Sequence, residues 1–260
     1  MSALPVLFIS HGAPTLPLED SPARHFIAAL GKELPKPRAI LAISAHWETA
    51  RPTVSTAEQP ETIHDFHGFP QALYAMRYPA PGAPHLARRV VELLGSRNIA
   101  ATTDAARGLD HGAWTPLTLM FPHADIPVTQ LSIQSHEGPA HHWRVGEALR
   151  PLREEGVLVV ASGSATHNLR EFRANAGDDE PASWALAFGE WLAQTVEHGR
   201  TGDLLSYRER APEAARNHPT DEHLLPIFVA AGAAAPGARG KRIHSSYAYG
   251  VIGMDAYVFA

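Results

Sequence analysis

The 260-residue chain has no cysteine, which excludes disulfides and thiolate ligands and makes the cytoplasm the default compartment. Any metal it binds must be held by imidazole, carboxylate or water. It has no excess of positive charge: 22 Lys and Arg against 27 Asp and Glu leave a net charge of −5, with no basic run. That balance argues against nucleic acid or an anionic membrane as partner. No apolar run approaches the ~20 residues that a membrane-spanning helix requires. The opening MSALPVLFISHG lacks a basic start and passes straight into a strand-like run, so no signal peptide is expected. Familiar catalytic fingerprints are also missing, among them GxGxxG, GxxxxGK[ST], HExxH and GxSxG. Gly163-Ser164 makes no nucleophile elbow because the second glycine is absent.

What the chain has in quantity is histidine, 16 in all. The hydrophobic fraction of 45% with 19% charged residues is that of a globular enzyme with a substantial core. Residues 4–10 and 39–45 are continuous apolar runs of strand length, the pattern of strands buried on both faces. Between them, Ser21-Pro22 reads as an N-cap followed by proline at the first helical position, opening a helix to about residue 33. Residues 51–82 read as loop-rich, with a short strand at 53–56 and a short helix at 71–76. Further helices are expected at 84–94, 113–121, 139–154, 181–196 and 219–231. Further strands are expected at 99–103, 128–133, 157–162, 243–247 and 255–259. The alternation continues without a linker or repeat, so residues 1–260 read as one α/β domain whose mostly parallel or mixed sheet carries helices on both faces.

Four histidines fall where such elements end or begin: His11 in VLFISHG, His46 in AISAHW, His167 in SGSATHN and His223 in HPTDEH. Open α/β sheets bind ligands beyond the carboxyl ends of their strands, so histidines delivered there from distant segments suggest one metal-centred site. The small residues 163–166 allow close backbone approach around His167, although Ser164, Thr166 and Asn168 also suit a helix-capping loop. His218 and His223, five positions apart on the expected helix, would point roughly 140° apart, which argues against their sharing an ion from it. His223 is the better ligand candidate and Glu222, its neighbour, the competing one. His111, before a helix carrying Trp114, reads as an acid–base residue or a loop hydrogen-bonding residue. His64, His67, His136 and the pair His141-His142 read as solvated; His25, His85, His123, His198 and His244 carry no signal.

In order along the chain stand His11-Gly12-Ala13-Pro14, Ser44-Ala45-His46-Trp47, Asp65-Phe66-His67-Gly68-Phe69-Pro70, Leu109-Asp110-His111-Gly112-Ala113-Trp114, Gly163-Ser164-Ala165-Thr166-His167-Asn168 and His218-Pro219-Thr220-Asp221-Glu222-His223. Together these closely resemble the DOPA extradiol dioxygenase family, within the superfamily of protocatechuate 4,5-dioxygenase catalytic subunits, over nearly the whole chain. The resemblance implies one mononuclear metal held by His11, His46 and His223, with His167 beside it as ligand or acid–base residue. Fe(II) is the ion it implies, with Zn(II) able to occupy the same site. In the protocatechuate branch a glutamate supplies the third ligand, where this chain has His223 beside Glu222. The implied reaction inserts both atoms of O₂ into a catechol, DOPA or a relative, giving a muconic semialdehyde. His167 then serves as principal acid–base residue and His111 as the oxygen- or substrate-positioning partner. Trp47, Trp114, Phe69 and Tyr247 are candidates for the aromatic wall of the pocket, with simple core as the favoured reading of each. The competing readings are a zinc hydrolase on the same scaffold and a non-enzymatic binding protein of the Memo type. Monomer and homodimer both remain open.

Overall fold

The two apolar runs that open the chain end up in the middle of one sheet. The structure, a computed structural model, describes residues 3–172 and 181–260. Its strands are β1 (Val6–Ser10), β2 (Ala39–Glu48), β3 (Thr53–Ser55), β4 (Thr102–Asp104), β5 (Val128–Ile133), β6 (Val157–Gly163), β7 (Gly240–His244), β8 (Tyr247–Ala248), β9 (Ile252–Gly253) and β10 (Ala256–Phe259). The helices are α1 (Pro22–Glu33), α2 (Gln71–Ala75), α3 (Pro84–Ser96), α4 (His111–Met120), α5 (Gly138–Leu149), α6 (Ser183–Glu197), α7 (Thr201–Leu205), α8 (Tyr207–Arg210), α9 (Ala214–Asn217) and α10 (Leu225–Ala233). Eight strands form a mixed sheet in the order β4-β3-β5-β2-β6-β1-β10-β7, while β8 and β9 pair separately. The central β5, β2, β6 and β1 are parallel, and β10 and β7 close one side antiparallel.

Alternation along the central strands divides the core in two. Val6 and Phe8 of β1 join one apolar cluster with residues of α3, α5 and α10; Leu7 and Ile9 join the other with residues of α1 and α4. A strand buried on both faces has no polar side, which is why these runs read as unbroken hydrophobic sequence. The first helix starts as expected, with the Ser21 hydroxyl accepting from the Arg24 N–H and Pro22 in the first turn. Among the described residues no helix is long and apolar enough to cross a membrane.

Several boundaries differ from the expectation. The strand expected at 99–103 lies at β4, and the one expected at 243–247 divides into β7 and β8. Three short helices, α7 to α9, fill 201–217, where the sequence shows no sustained apolar period. The helix expected from residue 219 begins only at Leu225, with Pro226 in its first turn, so His223 lies in the turn before it. The angular argument separating His218 from His223 therefore does not apply. His218 is instead fully buried, its Nε2–H donating to the Ala165 carbonyl (3.0 Å).

His142 also departs from the solvated reading. It is 1% exposed, its Nδ1–H donates to the Gly138 carbonyl (2.7 Å), and its Nε2 accepts from the Gln134 N–H (3.1 Å). Burial holds this imidazole down to about 4, against a partial opposing effect of the Gly138 carbonyl. Because the folded value lies below the unfolded ~6.5, the unfolded chain takes up the proton first as pH falls. His142 should therefore cost up to about 3 kcal/mol of stability as pH drops from 6.5 to about 4. Urea unfolding at pH 7 and pH 4.5 should show a larger acid loss for the wild type than for His142→Gln. Equal losses would contradict the assignment.

Candidate metal centre

The parallel strands deliver their carboxyl ends to one edge, and three histidines from distant segments meet there. His11 follows β1, and its N–H donates to the Gly163 carbonyl at the end of β6 (3.0 Å). Gly12 takes φ +63°, turning the chain away behind the imidazole, and a Cβ there would fall 2.6 Å from Met254 Cε. His46 stands inside β2 rather than after it. The β2–β5 register runs from Ile43↔Leu131 to Glu48↔Ile133, so five steps along β2 match two along β5. That bulge carries His46 out to the edge, a common use of bulges beside functional sites. His223 arrives from the turn before α10. Its carbonyl accepts from the Ser164 N–H (2.8 Å), an approach that needs glycine at 163, where a Cβ would lie 2.1 Å from that oxygen.

His46 Nε2 lies 3.0 Å from His11 Nε2 and 3.3 Å from His223 Nε2, and one nitrogen of each of the three falls within 4.8 Å of the other two. With metal–imidazole bonds of about 2.1 Å, two nitrogens on one ion stand about 3.0 Å apart at a right angle and about 3.4 Å apart at the tetrahedral angle. The three side chains therefore fit a single divalent ion.

The tautomers of His11 and His223 fit as well. Pro116 lies within α4 and has no N–H to offer the Gly112 carbonyl four residues back. That carbonyl accepts the Ser162 hydroxyl instead. With its one proton committed, Ser162 accepts from His11 Nδ1–H (3.0 Å), so the lone pair of His11 is on Nε2, facing the centre. His223 Nδ1–H donates to Glu222 Oε1 (3.0 Å), which likewise leaves Nε2 with the lone pair. Glu222 thus sits behind His223 and orients it. Burial, reinforced by the neighbouring imidazoles, holds His11 and His223 well below the usual histidine value. Burial and His111 take His46 to about 4 against the pull of Asp110 and Asp65. All three are therefore neutral near pH 7, the form that binds metal.

Below His46 lies a buried polar bracket. Asp110 caps α4 by accepting from the Ala113 N–H, and it also accepts from the Ser44 hydroxyl (2.6 Å), Gln130 and the Arg107 guanidinium (2.6 Å). Ser44 Oγ in turn accepts from the His46 N–H (3.1 Å). Arg107 lies 5.0 Å over the Trp47 ring.

His167 stands outside the three-histidine group. Its ring lies flat on His223, with centroids 3.6 Å apart and 6° between planes, and burial lowers it to about 4 despite Glu222. His111 opens α4, its ring 3.9 Å from that of His46 and 5.3 Å from that of His11. Asp65 accepts from both its N–H and its Nδ1–H (2.9 Å each). Burial pushes the Asp65 carboxyl up, but the hydrogen bonds and charge of His111 outweigh it and leave the group at about 2.

Above the histidines opens a largely apolar cavity of about 360 Å³, walled by Phe66, Phe69, Leu169, Phe172, Tyr249 and Ile252. The volume is that of a small-molecule site. Of the four aromatic candidates Phe69 lines it, and the others take the core reading. Trp114 is fully buried, with its indole N–H donating to the Ile63 carbonyl, while Trp47 packs beneath Arg107 and Tyr247 lines a neighbouring cavity.

Compared with known proteins, residues 5–260 match the family described as the catalytic LigB subunit of aromatic ring-opening dioxygenase. The chain belongs to that family. It is 45% identical over 256 residues to the 4,5-DOPA dioxygenase extradiol of Beta vulgaris, covering 97% of this chain and 95% of that protein. A protein of the same name from Escherichia coli (strain K12) is 44% identical, covering 88% of this chain and 85% of that protein. The crystal structure of an uncharacterized protein from Escherichia coli K12 superposes with a TM-score of 0.84 at 34% identity, covering 99% of this chain and 100% of that one. As a LigB-family member the chain is an oxidoreductase, an extradiol aromatic ring-opening dioxygenase.

The structure brings all five candidate histidines of this LigB-family chain to one cavity. It also adds residues that the sequence reading gave no part, namely Asp65, Ser162, Phe66, Phe172 and Tyr249. Asp65 and Phe66 stood inside a recognised motif, but their contacts with His111 are tertiary and leave no mark in local spacing.

Proposed function

We propose that the chain, as one catalytic unit over residues 1–260, is a metal-dependent extradiol dioxygenase that opens the ring of a catechol of the DOPA type. The observation that carries this reading is the trio of imidazole Nε2 atoms, 3.0 and 3.3 Å apart, at the floor of an apolar cavity. His11, His46 and His223 are the side chains that would hold the ion, Fe(II) for activity, with Zn(II) able to take the same place. When bound, the ion supplies Lewis acidity toward the two catechol oxygens and, as iron, the redox partner that O₂ chemistry needs.

The remaining steps belong to the chain itself. The phenylalanine-rich wall stacks the ring and keeps water from the reacting carbons. His167, beside His223 and outside the three-histidine group, takes a catechol hydroxyl proton and later returns one to the departing oxygen. His111, with Asp65 on Nδ1, offers Nε2 to substrate or oxygen. The names of the relatives support a DOPA-like catechol. The hydrolase and Memo-type alternatives draw on no observation beyond the metal-ligand cluster.

The test is anaerobic loading with Fe(II), followed by oxygen and a panel of catechols. A yellow semialdehyde is the expected product; no product from any catechol would contradict the reading.

A further inference from the structure

We propose that Asp65 is a positioning residue that fixes which nitrogen of His111 faces the cavity. This rests on the reading of His111 as a group that meets substrate or oxygen. The two carboxylate oxygens divide their work. Oδ1 accepts from the His111 backbone N–H and Oδ2 from Nδ1, each at 2.9 Å. An ionised carboxylate only accepts, so Nδ1 carries the proton and Nε2 the lone pair. His46 Nδ1 lies 3.6 Å from the same Oδ2, outside hydrogen-bond distance, so His111 is the residue that Asp65 holds.

The clamp is supported on both sides. His111 is the first residue of α4, which Asp110 caps from within. The Asp65 segment is stitched to that same helix start: Ile63 N–H donates to the Leu109 carbonyl, Leu109 N–H to the Glu61 carbonyl (2.8 Å each), and Trp114 Nε1–H to the Ile63 carbonyl (2.9 Å). Backbone and ring of His111 are therefore referenced to one carboxylate, and a ring flip would break the Nδ1 bond. A carboxylate at a helix N-terminus would also favour the helix dipole, but that role needs no bond to the ring.

Asp65→Asn separates the two. The asparagine oxygen can keep the backbone bond while its amide donates to Nδ1, moving the imidazole proton to Nε2 with little change of shape. Histidine ¹⁵N NMR of the metal-free protein, with His111 assigned from the signal lost in His111→Gln, should place the proton on Nδ1 in the wild type and on Nε2 in Asp65→Asn. With iron content matched, kcat should fall about 10²–10⁴-fold with KM changed only slightly, as expected for a wrong tautomer at an acid–base histidine. Asp65→Glu, which still only accepts, should recover part of the loss. A wild-type His111 protonated on Nε2 would overturn the proposal, as would full kcat in Asp65→Asn. A loss explained entirely by missing iron would overturn it too, assigning Asp65 to His46 instead. Absence of ring cleavage in the wild type would count against the proposed function, while the proton position would still decide the role of Asp65.

Discussion

Replacing His46 by alanine is expected to leave the chain without bound metal and without turnover. His46 is the middle of the trio, the one nitrogen within 3.3 Å of both others, so its loss leaves His11 and His223 without the ligand between them. The loss should be well beyond the ~10–100-fold that removal of an outer partner of a metal-bound histidine costs. His11→Ala should behave alike, because it removes another of the three Nε2 atoms, the one whose ring Ser162 orients. Metal analysis after Fe(II) loading and desalting reads the result directly. Full occupancy in either variant would overturn the ligand set. Circular dichroism should show the fold retained, since β1, β2 and β6 are held by apolar contacts that these substitutions do not touch.

His167→Ala is expected to separate binding from chemistry. Its ring covers one face of His223 and clusters with Glu222 and His223, but it is not one of the three imidazoles of the His11, His46 and His223 group. Iron content should therefore stay near that of the wild type, while kcat falls about 10²–10⁴-fold, the usual worth of a positioned general acid–base. A catechol should still bind the iron-loaded variant, visible as a perturbed catechol absorbance under anaerobic conditions. Parallel loss of iron and activity would make His167 a ligand. Retained kcat would remove it from the proton path.

How much of this was legible beforehand follows from the range of each interaction. The apolar runs of β1, β2 and β6 identified themselves because central strands are buried on both faces, and His11 is placed by the strand that precedes it. For His46 the sequence points to the right neighbourhood but not to the boundary: the apolar run stops near residue 45, whereas backbone pairing continues through a bulge to Glu48. For His223 the expected helix opens at Pro219, but Pro226 seven residues on is equally suited to a first turn. The second one opens it, leaving His223 in the turn where its backbone carbonyl meets Gly163. Between Glu222 and His223 the geometry favours the imidazole, since the carboxylate is bonded to its far nitrogen, and no spacing rule records that. The same holds for Ser162 and Asp65, whose partners lie 151 and 46 positions away. The short α7 to α9 lack the apolar period that makes longer helices readable.

The central claim is that this histidine centre performs dioxygenation of a catechol, and isotope incorporation tests it most directly. Iron-loaded protein given DOPA or a related catechol under ¹⁸O₂ should yield a ring-opened semialdehyde carrying both labelled atoms, after allowance for aldehyde exchange with water. Ring opening without label, or no ring opening while the trio demonstrably holds iron, would contradict it.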